Sequence, residues 1–210
     1  MRILKATFIV ALFSMIACKK TERQTETETK ITPAATEETT EAQDKQAIDK
    51  LVKDMYTWNE TRNHEHEFEP VIKDGYVIGY NIDSHKKFLQ ELRDSGFFAD
   101  EFIANMDKIV QEQNKLLSSG KLKWREGDLG PLSGDVNEWC GCQDEPAPYT
   151  KLTTHIEDMD AITAKLYWNW EGFGEDWAAE HYNIRTIKEN GKWKIAYMQG
   201  WDYAAALGVE

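Results

Sequence analysis

The sequence predicts an α+β domain, with three N-terminal helices packed on a curved antiparallel sheet. Apolar residues recur at helical spacing from Lys45 to the middle of the chain. In the last third they alternate at the spacing of half-buried strands. Asn190-Gly191, the strongest hairpin dipeptide present, separates the final two alternating runs. Helices first and strands last is the order of an α+β fold.

Each element has its own signal. In the first helix Ile48, Leu51, Val52, Met55 and Tyr56 stand at i, i+3, i+4, i+7 and i+8, which is one face. Asp74-Gly75 marks a tight turn between short strands in EFEPVIKDGYVIGYNI. Asp83-Ser84 offers the N-cap of a second helix, with Phe88, Leu89 and Leu92 on its stripe and Gly96 as its stop. The third helix carries Phe102, Ile103, Met106, Ile109, Val110, Leu116 and Leu117 and ends at Ser118-Ser119-Gly120. Three strands follow. Ile162, Ala164, Leu166, Trp168 and Trp170 form one inward set, Tyr182, Ile184 and Thr186 the second, and Trp193, Ile195 and Tyr197 the third.

The chain is 210 residues long, 41% hydrophobic, with 8 Trp, 8 Tyr and 8 Phe. That suffices for one domain with a sizeable core and excludes a wholly disordered protein. Its formal net charge of -12 excludes the basic footprint that nucleic acid requires. Residues 1–17 read as an address. Arg2 and Lys5 precede the apolar run Ala6–Ala17, which as a helix spans roughly 18 Å, too short for a bilayer core of about 30 Å. The run ends in Met15-Ile16-Ala17-Cys18, which resembles the lipobox of bacterial lipoproteins. The resemblance implies a signal peptide over 1–17, cleavage before Cys18, and a diacylglyceryl group with an added fatty acyl chain, such as palmitate, on Cys18. Several acyl chains anchor firmly where one does not. Lys19, rather than Asp, follows the Cys, which favours the outer membrane and leaves the leaflet undecided. Residues 18–44 are dominated by Thr and Glu and contain no aromatic residue, so a disordered tether of about 25–30 Å is expected, with the domain over 45–210.

Ser95-Gly96-Phe97-Phe98, Gln143-Asp144 and the closing Gly191-Lys192-Trp193-Lys194-Ile195 carry a second resemblance. With the order of elements, they make residues 45–205 similar to the cone-shaped nuclear transport factor 2 superfamily, and within it to bacterial lipoprotein domains of unknown function. The resemblance implies a pocket between sheet and helices. It implies no particular chemistry, because that fold hosts isomerases, dehydratases, binding modules and immunity proteins.

Three constellations bear on function. An aromatic-walled pocket suits a small apolar or sugar-like ligand, and Tyr56, Trp168, Tyr182 and Tyr197 are the residues expected to line it. Cys140-Gly141-Cys142 is a redox or disulfide pair; Gly141 would have to permit the tight turn, and the pair serves either as a labile thiol switch or as a structural staple. A weaker alternative adds His64 and His66 to Cys140 and Cys142 as metal ligands, at spacings tighter than zinc sites use. Asp160, His181, Asp202 and Tyr56 are of the residue types an acid–base isomerase needs, but no spacing singles them out, and Asp160 and Asp202 suit a turn cap and a chain end. Phosphate-loop, dinucleotide, HExxH and GxSxG motifs are absent.

The expectation is a lipid-anchored envelope protein, non-catalytic and without cofactor, binding a small ligand or a protein through a cone-shaped pocket. The alternatives are a thiol-redox or metal-responsive protein using Cys140 and Cys142, and an immunity-type inhibitor steered by its acidity toward a basic protein.

Overall fold

The computed structural model describes residues 34–128, 130 and 136–207. Helix α1 (Ala34–Thr61) is followed by the strands β1 (Pro70–Lys73) and β2 (Tyr76–Tyr80), helices α2 (Ile82–Ser95) and α3 (Asp100–Ser118), and the short strand β3 (Trp124–Arg125). A long connection leads to β4 (Thr153–Met159) and β5 (Thr163–Asn169). Then come the short helix α4 (Glu175–Ala179), β6 (Tyr182–Glu189), β7 (Lys192–Met198) and α5 (Tyr203–Leu207). The strands form two antiparallel sheets, β1-β2-β3 and the meander β4-β5-β6-β7. The fold is α+β. The signal segment, Cys18 and residues 18–33 of the expected tether lie outside the described residues. No helix among the described residues is long and apolar enough to cross a membrane.

The helical stripes are buried as their spacing requires. Ile48, Val52, Met55 and Tyr56 of α1 share one core with Phe88 and Leu92 of α2, Phe102 and Met106 of α3, and Leu166, Ile184 and Ile195 of the meander. Two boundaries differ from the sequence reading. Helix α1 begins at Ala34, so residues 34–44 are helical rather than tether. Thr and Glu do not forbid a helix, and Glu41 pairs with Lys45 one turn on. Asp44 then fastens the segment to the sheet: both carboxylate oxygens accept from Lys188 Nζ at 2.8 Å, and Oδ1 accepts from Trp193 Nε1 at 2.8 Å. The cap of α2 is Asn81, not Asp83-Ser84; its side-chain oxygen accepts from the backbone N–H of Asp83 and Ser84. Gly96 ends α2 in the left-handed region at φ 74°.

The segment leaving α2 joins the sheet. Ala99 N–H donates to Ile195 O and Ile195 N–H donates to Phe97 O, both at 2.8 Å, so Phe98 bridges β7 in parallel. Glu189, at the β6–β7 turn, accepts from Asp100 N–H and serves α3 as a cap from another element.

The meander departs from the expected one in two ways. It has a fourth strand, β4, whose half-exposed residues and acidic Glu157-Asp158 hide the alternation. In β7 a bulge opposite Arg185-Thr186 inserts one residue: Thr186 faces Ile195, and Arg185 faces Tyr197. Ala196 is the extra residue, so the inward set continues at Met198, and Tyr197 turns to the other face. Ile162 is also outside the core at 61% exposure, in the β4–β5 turn that Asp160 caps by accepting from Ile162 and Thr163 N–H. Asp74-Gly75 and Asn190-Gly191 both turn with positive φ at both positions, as two-residue hairpins require.

Burial raises the Asp44 carboxyl, but the hydrogen bonds from Lys188 and Trp193 and the Lys188 charge outweigh it and hold the group below its ordinary 3.8. A depressed folded-state pKa contributes stability above the unfolded value and loses it as pH falls through the folded one. Asp44→Asn is therefore expected to cost about 1 kcal/mol at pH 7. That deficit should shrink below pH 4, as read by urea unfolding of both proteins across pH 7 to 3.

Candidate functional site

Tyr56 projects from α1 into the core with no exposure. Its ring stacks on Tyr149 with centroids 4.3 Å apart. Its hydroxyl donates to Trp139 O at 2.5 Å and accepts from Trp168 Nε1 at 3.0 Å. Burial, with Tyr182 and Tyr149 nearby, pushes this phenol well above its ordinary pKa, so it stays protonated and donates. Tyr182 on β6 acts alike: its hydroxyl donates to Glu138 O at 2.5 Å and accepts from Gly200 N–H at 3.0 Å. Two phenols from two elements thus hold consecutive carbonyls of the long connection.

The held segment carries the cysteine pair. Asn137 N–H donates to Cys142 O at 2.8 Å, and Asn137 O accepts from Cys140 and Gly141 N–H. Gly141 sits at φ 63°, which lets the chain turn within one residue. Cys140 and Cys142 are joined in a disulfide, with Cα atoms 5.1 Å apart. Cys140 is buried and Cys142 half-buried. Trp139 Nε1 donates to Glu67 Oε1 at 2.9 Å and pins the turn from the opposite side.

Beside this turn lies an open cavity of about 320 Å³. Trp168, Trp170 and Tyr182 form its floor, the Cys140–Cys142 turn with Asp144 one side, and α4 with Asp176, Trp177, Glu180 and His181 the other. Trp177 meets Trp170 edge-on at 5.7 Å. The buried Asn169 amide donates to Ala178 O at 2.7 Å and holds α4 against the sheet. His181 stacks on Tyr167 at 3.8 Å. Among the described residues no Lys or Arg lines the cavity, and three carboxylates do.

The four residues expected to line a pocket therefore separate. Trp168 and Tyr182 line the cavity. Tyr56 lies in the core, and Tyr197 lies on the other face of the sheet, beside Arg185 and Lys165. Trp177, Asp176, Glu180 and Asp144 also line it, although the sequence reading did not place them in the pocket. A Gly-flanked, five-residue helix between two strands gives too short a pattern, and which residues of the connection meet it depends on tertiary contacts.

The metal alternative fails on geometry. Among the described residues, the groups whose ligand atoms lie close enough for one ion are Cys140, Cys142 and Glu145. His64 instead faces Glu67 Oε2 at 2.7 Å and Asn59 O at 3.0 Å, and neither His64 nor His66 joins the two sulfurs. Sulfurs bonded to each other also lack the thiolate charge a metal needs. The acid–base candidates are similarly dispersed. Asp160 caps the β4–β5 turn, Asp202 accepts from Ala204 and Ala205 N–H at the start of α5, and Tyr56 is sealed in the core. A second recess, of about 420 Å³, is lined by Glu60, Glu67, Glu138, Glu145 and His64. Burial and the neighbouring Glu145 raise the Glu60 carboxyl there, and Glu67 pairs with Arg62.

Tyr56→Phe removes one donor and one acceptor from a closed site and leaves Trp139 O and Trp168 Nε1 unpaired. It is expected to cost about 2–4 kcal/mol in urea unfolding, well above the effect of the same change at the partly exposed Tyr197.

Comparison with protein families, curated proteins and solved structures finds no match for this chain.

Proposed function

We propose that the chain is a lipid-anchored bacterial envelope protein, attached through Cys18 and favouring the outer membrane. Its domain is a non-catalytic binding module of the cone-like, nuclear-transport-factor-2-like type, with three N-terminal helices packed on a curved antiparallel sheet. It binds a small ligand in the cavity between the Cys140–Cys142 turn and α4. The observation that carries this reading is the cavity itself. It is concave, floored by Trp168, Trp170 and Tyr182, rimmed by polar groups, and its walls are fixed by hydrogen bonds rather than left to loops.

The disulfide favours a second reading, a thiol-redox protein, because Cys142 is half-buried at the cavity edge. The electrostatics weigh against it. Asp144, Asp176 and Glu180 face the same space, and an attacking thiolate would be repelled. The immunity-type reading rests on the net charge of -12 alone. In the ligand-binding reading the disulfide is a staple that shapes one wall.

Three measurements test the proposal. Mass spectrometry of the mature protein should find an N-terminal Cys18 carrying acyl mass, and Cys18→Ser should release the chain from the membrane fraction. An unmodified N-terminus elsewhere would remove the anchor. Trp177→Ala should weaken ligand binding about tenfold, read by calorimetry at a temperature where thermal unfolding shows the variant still folded.

A further inference from the structure

We infer that Cys140, Cys142 and Glu145 form a second site, independent of what the cavity binds, which takes up a divalent zinc-type cation when the disulfide is reduced. Among the described residues they are the group whose Cys and carboxylate ligand atoms converge, all within 4.8 Å of one another. In the disulfide the two sulfurs carry no charge and take no metal. Reduction restores that charge without dispersing the ligands, because the turn does not depend on the S–S bond. Asn137 N–H donates to Cys142 O at 2.8 Å, and Asn137 O accepts from Cys140 and Gly141 N–H. Tyr56 and Tyr182 hold the carbonyls of Trp139 and Glu138 just before them. Two thiolates on one zinc stand about 3.8 Å apart, a separation that side-chain rotation supplies from Cα atoms 5.1 Å apart.

The surrounding contacts suit a ligand set. Cys142 N–H donates to Cys140 Sγ at 3.2 Å, a bond that strengthens when the sulfur becomes a thiolate. The buried Tyr149, stacked on Tyr56, donates its hydroxyl to Glu145 Oε1 at 2.6 Å and orients the carboxylate. Two thiolates and a carboxylate gathered this closely repel one another unless a cation joins them. No Lys or Arg among the described residues lines either recess beside the turn. The group therefore has two stable states, sulfurs bonded to each other or a dication between them. Two sulfurs and one oxygen with a fourth position open suit Zn²⁺, whereas Mg²⁺ and Ca²⁺ require oxygen throughout.

The switch is a two-electron exchange. A dithiol gives two electrons and two protons to the disulfide and leaves as its own disulfide, so that Cys140 and Cys142 become thiols. Zn²⁺ then displaces both thiol protons to solvent and binds the two thiolates and the Glu145 carboxylate. The acidic rim that opposes an attacking thiolate slows the first half and favours the cation in the second.

The test is titration of the full chain, with Cys18→Ser so that the pair supplies the thiols, with Zn²⁺ and with Co²⁺ as its coloured stand-in. The chain is first reduced by a trialkylphosphine, which is then removed without oxygen. The reduced chain should bind one ion, give the thiolate-to-Co²⁺ charge-transfer absorption, and keep the circular dichroism of the oxidised chain. The oxidised chain should bind about a hundredfold more weakly. Cys140→Ser/Cys142→Ser should abolish the absorption. Glu145→Gln, at an exposed position, should weaken Zn²⁺ about tenfold, and Asp144→Asn, which removes the same charge from outside the group, should change it little. A reduced chain that takes up no ion, or that unfolds, would overturn the inference. So would equal binding by the oxidised chain, or a Glu145→Gln effect no larger than that of Asp144→Asn.

Discussion

A segment with no ladder of its own must find partners for its carbonyls elsewhere, and at Glu138 and Trp139 two buried phenols supply them. Tyr56 reaches from α1 and Tyr182 from β6, each donating at 2.5 Å and each accepting from a further element, Trp168 of β5 and Gly200 beyond β7. Helix, connection and sheet are thereby closed into one circuit of hydrogen bonds inside the core. The fit is close enough to dictate residue type. A Cβ on Gly200 would stand 1.9 Å from Glu138 O, and one on Gly141 would stand 3.3 Å from the Tyr182 ring. The disulfide turn and the cavity wall it forms take their position from this clamp.

Arg62 guards the other side of the same segment. Its side chain is 2% exposed, its guanidinium lies 5.1–5.4 Å from the ring centres of Trp58, Phe88 and Trp139, and it pairs with Glu67. A buried cation is tolerable only with a partner charge and polarisable walls, and here it has both. Glu67 in turn accepts from Trp139 Nε1, so the ion pair and the phenol clamp meet on one indole. Trp139 is held by its backbone oxygen, by its ring faces and by its ring nitrogen. Such redundancy suits a residue that starts a turn of one intervening residue.

Periodicity made the helices legible, since Ile48, Val52, Met55, Phe88, Leu92, Phe102 and Met106 are all buried where a 3.6-residue repeat puts them. Dipeptide chemistry made both hairpins legible. What escaped is what a local pattern does not encode. α1 is secured at Asp44 by Lys188 and Trp193, far along the chain. The bulge that turns Tyr197 outward is a property of strand pairing, not of the alternating residues themselves. Tyr56 was rightly placed on an inward face. Inward, however, meant the core behind Trp168 and not the cavity that Trp168 lines. Of the expected pocket, Trp168 and Tyr182 keep their place because they precede and follow α4, on strands whose alternation is unbroken there.

Rigidity and charge then combine at the cavity. One wall is a turn held by a disulfide, two phenol hydrogen bonds and an indole; the other is a short helix held by Asn169 and by the edge contact of Trp177 on Trp170. Walls fixed before a ligand arrives leave little ordering entropy to be lost on binding. The acidity of the chain as a whole draws cations toward its surface, and the cavity rim gives that attraction a direction. Asp144, Asp176 and Glu180 stand exposed at that rim, so the field that meets an entering ligand is negative.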